Sequence, residues 1–335
     1  MNIFKKNSKA LIGIMMAAML VVAGSGIYKA NAASRVDTTE TITIIAGVSD
    51  TDTSVFATKY KGTVTIKLYK LADMDETGKL HIVDELKNSE IDLSVLNGNP
   101  TVGDINTKIV IPAKAAVPEN TNLVISLNRA NGATAEPIDI PNGAGLYLYV
   151  PQDIEDTRYN YSFTSYVVMA PTSELITTGA GLDTWNNIVR FNLKATETER
   201  FGKLEIKKTL NSFNKTLGTA SFVYRVTLMD GDELLSENVY SLDFDSATTK
   251  TKLFENIPAG VTAIVTEEYT GASYTLDGDA TVTKTIEGEK IATAEFKNSY
   301  DDRLITGGIS AENNFENKDG EIFWISKTGT RVKQK

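Results

Sequence analysis

Residues 202–210 read GKLEIKKTL, and apolar and polar residues alternate along them with period two. A strand places alternate side chains on opposite faces, so Leu204, Ile206, Lys208 and Leu210 share one face and Glu205, Lys207 and Thr209 the other. The same rhythm predicts strands over 38–47, 62–72, 79–83, 123–127, 145–150, 159–170 and 187–194. After 210 it returns through Phe222, Tyr224, Val226 and Leu228, then over 253–260, then at Val261, Ala263, Val265 and Glu267, and finally over 292–300. Asp230-Gly231 marks one hairpin turn and Glu287-Gly288-Glu289 a last one. Only 84–120 breaks the rhythm, with short helices predicted near 94–96 and within 102–115. Short strands bounded by Gly, Pro, Asn and Asp predict an all-β chain of tandem immunoglobulin-like β-sandwich domains.

The first 32 residues follow a different pattern. Lys5, Lys6 and Lys9 precede an uncharged apolar run over 10–27, and Ala30-Asn31-Ala32 supplies a small-x-small cleavage site. This is the pattern of a secretory signal peptide, the alternative being an uncleaved membrane anchor. We therefore expect a signal over 1–32, a first β-sandwich over 33–194, a polar linker over 195–201 (ATETERF), a second sandwich over 202–302 and a tail over 303–335. No apolar run in the tail is long enough to span a membrane.

Charge and cysteine content narrow the classes. The formal charge is −9, and removal of the signal with its four lysines and no acids takes it to −13. Such a surface is not suited to phosphate backbones, so nucleic acid is not an expected partner. An exported chain without a single cysteine cannot use disulfides for strength. It must rely on a large core, a metal or another covalent link. His81 is the only histidine, which excludes a histidine-based triad or a multi-histidine metal site within one chain. No cofactor is expected.

Three polar residues occupy inward positions of the second domain: Lys208, Glu267 after Val261, Ala263 and Val265, and Asn298 after Ala294 and Phe296. An unpaired ammonium among apolar side chains is very costly. Lys208 could reach the domain edge, or form a buried ion pair with Glu267. It could also react. Burial lowers the lysine pKa and raises that of the acid, so a neutral amine could attack the side-chain amide of Asn298 on a neighbouring strand. A protonated Glu267 would polarise the carbonyl and shuttle protons, and ammonia would leave. The product is a Lys208–Asn298 isopeptide bond.

The stretches GKLEIKKTL, FVYRVTL, LFENIPAG, AIVTEEYT and AEFKNSY resemble, in this order, the isopeptide-forming Cna-B-type pilin domains of Gram-positive surface pili. The resemblance covers about 100 residues. It implies bond-forming roles for Lys208 and Asn298 and an assisting-acid role for Glu267, which stands in Val265-Thr266-Glu267. TVTIKLYKLADMDETGKL and GAGLYLYV also resemble pilin N-terminal domains. The implied protein is a secreted, non-enzymatic structural subunit of a pilus or fimbria. Its implied partners are other pilin subunits, cell-surface components or a host surface. Leu304 to Gly308 reads LITGG, without the proline of a sortase signal, LITTG over 175–179 lies mid-chain, and no YPK motif is present. An alternative is a secreted adhesin whose first domain binds a host protein or glycan; a third is a hydrolase, for which no carboxylate pair stands out.

Other signals have plainer readings. Asp73-x-Asp75-x-Thr77-Gly78 has the opening of a calcium loop, but Asp84 stands at position twelve and the flanks read as strands, so a β-turn is expected. Lys70 shares a face with Val64, Ile66 and Leu68, and is expected to snorkel rather than to bond Asn192, which points away from Val189, Phe191 and Leu193. Trp185 and Trp324 are expected to pack, and the 303–335 tail to add a strand to its own domain or to another subunit.

Overall fold

The computed structural model describes residues 35–174 and 184–302, with the strands Phe315–Lys318, Glu321–Ile325 and Arg331–Lys333 beyond them. The signal over 1–32 and both LITTG and LITGG lie outside the described residues. The described chain is all-β apart from short helical turns, as the alternation predicts. It forms two compact units. One holds 35–204 with Leu253–Thr262 and Thr285–Ala292, and the other holds Glu205–Lys252, Ala263–Lys284 and the chain from Thr293.

In the first unit the long strand Thr63–Met74 pairs with Leu80–Ile82, Val124–Asn128 and Gly145–Pro151, and Gly145–Pro151 pairs in turn with Tyr166–Ala170. Ile42–Gly47 lies between Ile188–Asn192, to which it runs parallel, and Ile138–Ile140. Ile42, Ile44, Val64, Ile66, Leu68, Tyr147 and Phe56 are fully buried in their core. The predicted helical region is a 3-10 turn at Leu93–Asn97 and a run of helical segments from Val102 to Ala116.

Two strand readings change here. Residues 159–170 are not one strand: Tyr159–Phe163 and Tyr166–Ala170 join different sheets, with buried Ser165 at the break. Within the 195–201 stretch, where no strand is predicted, Ala195–Glu199 is a strand paired antiparallel with Tyr159–Phe163. Its polar side chains conceal it, since backbone groups alone make a ladder. In Thr63–Met74 the register shifts between Lys70 and Ala72. This bulge takes Lys70 out of the buried set, and its Nζ pairs with Asp73 at 2.6 Å.

The site lies on eight further strands: β1 (Phe201–Leu210), β2 (Ala220–Asp230), β3 (Glu233–Phe244), β4 (Thr249–Pro258), β5 (Thr262–Tyr269), β6 (Tyr274–Leu276), β7 (Thr281–Thr285) and β8 (Ile291–Tyr300). They form two four-stranded sheets, ordered β4-β1-β8-β6 and β3-β2-β5-β7. The β2–β3 hairpin turns where predicted, with Gly231 at φ 58°, a conformation open to glycine. The Glu287-Gly288-Glu289 turn is not a hairpin. It carries the chain from β7 in one sheet to β8 in the other, so the alternation on either side belongs to separate ladders. Among the described residues of the tail, its three strands pair with one another.

Candidate functional site

Strand β1 buries every second residue, namely Gly202, Leu204, Ile206, Lys208 and Leu210. Lys208 is therefore held inward by the same pleat that buries its apolar neighbours. Glu267 is the last inward residue of the Ala263, Val265, Glu267 series on β5, and Asn298 follows buried Ala294 and Phe296 on β8. Lys208 and Asn298 have no exposed surface, and Glu267 is 4% exposed.

The three side chains meet. Lys208 Nζ lies 2.9 Å from both Oε1 and Oε2 of Glu267, and it donates to Asn298 Oδ1 as well. Asn298 Nδ2 donates to Glu267 Oε1 at 2.7 Å and to the Thr270 carbonyl at 3.1 Å. Lys208 and Asn298 stand on neighbouring strands of one sheet, as expected. Glu267 does not share that sheet; it reaches in from the facing one. The amine thus sits at the carbonyl end of the amide, and the carboxyl touches both the amine and the amide nitrogen.

Aromatic rings close the site. Lys208 Nζ stands 4.2 Å from the centre of the Phe222 ring and 5.8 Å from that of Tyr224. Phe222 packs edge-on against Phe244 and Tyr274, and Tyr224 packs against Phe296. Burial lowers the Lys208 amine to about 8, against the opposing pull of Glu267. Burial also raises the Glu267 carboxyl above the usual range, although Lys208, Asn298 and Tyr224 each work to lower it. Both shifts favour the neutral amine and the neutral acid over the ion pair. Phe222, Tyr224 and the Thr270 carbonyl were not singled out from sequence. The two rings were legible as inward positions on β2, but which inward group they face was not.

The remaining candidates take structural roles. Asp75 accepts from the Thr77 and Lys79 backbone N–H groups and pairs with His81 at 2.8 Å, which makes 73–78 a self-satisfied turn. Asp84 pairs with Lys87 instead. Among the described residues no three His, Cys, Asp or Glu side chains gather as metal ligands. Asn192 is exposed while Val189, Phe191 and Leu193 are buried. Trp185 packs against the buried group of Val36, Met74 and Ala144, and the Trp324 side chain lies outside the described residues. No helix among the described residues is long and apolar enough to cross a membrane.

No protein-family profile matches the chain, and no curated protein sequence matches it. Solved structures similar to it include the minor pilin GBS52 of Streptococcus agalactiae, at 13% identity over 82% of this chain and 100% of the pilin, with a TM-score of 0.23. The T-13 major pilin of Streptococcus pyogenes is similar at 12% identity over 80% of this chain and 100% of the pilin, with a TM-score of 0.30. The pilus-presented adhesin Spy0125 is similar at 17% identity over 64% of this chain and 45% of the adhesin, with a TM-score of 0.25.

Proposed function

We propose that this chain is a secreted structural subunit of a cell-surface fibre of the pilus type, whose 202–302 domain is locked by an isopeptide bond between Lys208 and Asn298. The observation that carries the reading is the buried contact of amine, amide and acid, with Lys208 at the Asn298 carbonyl and Glu267 on both nitrogens. The sequence resemblance to isopeptide-forming pilin domains, the predicted export signal and the absence of cysteine support it.

The chemistry needs one proton relay and no cofactor. In the neutral pair, Lys208 Nζ attacks the Asn298 side-chain carbon while the Glu267 carboxylic acid gives its proton to the carbonyl oxygen. The tetrahedral adduct collapses as Glu267 takes a proton from the former lysine nitrogen, delivers one to the departing amide nitrogen and takes back the proton it had placed on the carbonyl oxygen. A C–N bond forms, a C–N bond breaks and ammonia leaves. Glu267 ends as it began. Proximity supplies much of the rate, because folding itself brings the reactants together. The reaction occurs once per chain and is not turnover.

The intact mass of the exported chain tests the bond. It is expected to fall short of the sequence mass by about 17 Da, the ammonia lost in the displacement, and tryptic peptides holding Lys208 and Asn298 should appear joined. Lys208→Ala should restore the full mass. An unshifted wild-type mass overturns the bond. For the fibre role, antiserum should detect a ladder of high-mass species in cell-wall extracts that survives boiling in detergent. Monomer confined to the medium overturns that role.

A further inference from the structure

The proton relay leaves one buried polar group unused. Tyr224 is fully buried, and its hydroxyl has no hydrogen-bond partner of good geometry. A buried hydroxyl without a partner is costly, and a specific one calls for an explanation. Its strand β2 neighbours β5, its ring stands 5.8 Å from Lys208 Nζ, and the hydroxyl and the Glu267 carboxyl each shift the other's titration.

The need for it appears when the hydrogen bonds to Glu267 are followed through closure. Before reaction the carboxyl oxygens receive three, two from Lys208 Nζ and one from Asn298 Nδ2. Closure removes the amide NH2 group as ammonia and leaves the lysine nitrogen with a single hydrogen. The carboxyl loses most of its donors in a site that water does not reach. Tyr224 offers a spare donor that already acts on this carboxyl. Phe222, Phe244 and Phe296 carry no polar atom, and the Tyr274 hydroxyl is engaged with the Asn214 backbone N–H at 3.3 Å.

Resting on the isopeptide reading above, we propose that Tyr224 is a positioning residue for closure: its hydroxyl orients the Glu267 carboxyl and takes over the hydrogen bond that Asn298 Nδ2 surrenders as ammonia departs. The ring is anchored for this by Phe296, at 5.1 Å between centroids. No bond to Tyr224 is made or broken, and its proton stays on oxygen.

Full-length chains collected unfolded in urea, then diluted into buffers of different pH, would show the loss of about 17 Da developing with time. Tyr224→Phe keeps the ring and removes only the donor. It should slow closure by about tenfold or more, the scale of a hydrogen bond to a charged group. It should also move the acid limb of the pH–rate profile upward, because a carboxylate stripped of a donor holds its proton to higher pH. A packing role would slow closure without moving that limb. Phe296→Leu, which loosens the ring but keeps the hydroxyl, serves as the packing control and should leave the limb in place. If wild type closes and Tyr224→Phe matches it in rate and profile, this inference alone falls. If wild type itself never loses ammonia, the isopeptide reading falls with it.

Discussion

Burial sets what chemistry is open to Lys208. In water a lysine amine is protonated and inert at neutral pH; inside the sandwich it falls to about 8 while the Glu267 carboxyl rises. The two titrate as a pair, and the state that reacts holds one proton between them. Below the raised carboxyl pKa the pair holds two protons and the amine is blocked. Above about 8 the last proton leaves, and none remains for the carbonyl or the leaving group. Closure from urea-unfolded chains is therefore expected to follow a bell-shaped pH profile, falling above about pH 8 and again on the acid side. A rate that keeps climbing to pH 10 would mean that the amine alone controls it and that Glu267 supplies no proton. At this scale the sequence was informative about residue types. Lys208, Glu267 and Asn298 stood out because each interrupts an apolar alternation. The Tyr224 hydroxyl did not, because a tyrosine on an inward face looks like core.

Among the strands, the pleat does most of the positioning. Strands β1 and β8 lie side by side although Lys208 and Asn298 are 90 residues apart in sequence, so a bond between them closes most of the domain into one loop. By loop-closure entropy a link over that span is worth roughly 4–5 kcal/mol. The Lys208→Ala chain is expected to melt roughly 20 °C or more below the closed wild type, as calorimetry would show. Equal melting temperatures would mean that the link adds no constraint. The alternation was enough to place nearly every strand. It failed where tertiary pairing, rather than side-chain pattern, decides the outcome: at the break between Phe163 and Tyr166, at the polar strand Ala195–Glu199, and at the 287–289 turn, which joins two sheets instead of making a hairpin.

For the whole molecule, a covalent link placed between first and last strands is the counterpart of a disulfide in a chain with no cysteine. With the proposed bond in place, force or heat that separates β1 from β8 would have to break a covalent link. The closed chain is also expected to stay looped when denatured, and so to run faster in a denaturing gel than Lys208→Ala, which differs by one side chain. Identical mobilities would show that no such loop exists. The sequence by itself determined the all-β class, most strand positions, and the three residue types whose burial demands an explanation, because period-two patterning is local and needs no partner to be read. The folded structure was needed to show which strands are neighbours, that Glu267 comes from the sheet facing Lys208 and Asn298, and that the Tyr224 ring lies beside the Lys208 amine. Those facts depend on sheet order and facing geometry, which bring together residues far apart in the chain and leave no mark in its local pattern. For Lys208, the lysine inside an apolar strand, the facing sheet supplies the Glu267 carboxyl that its buried amine touches.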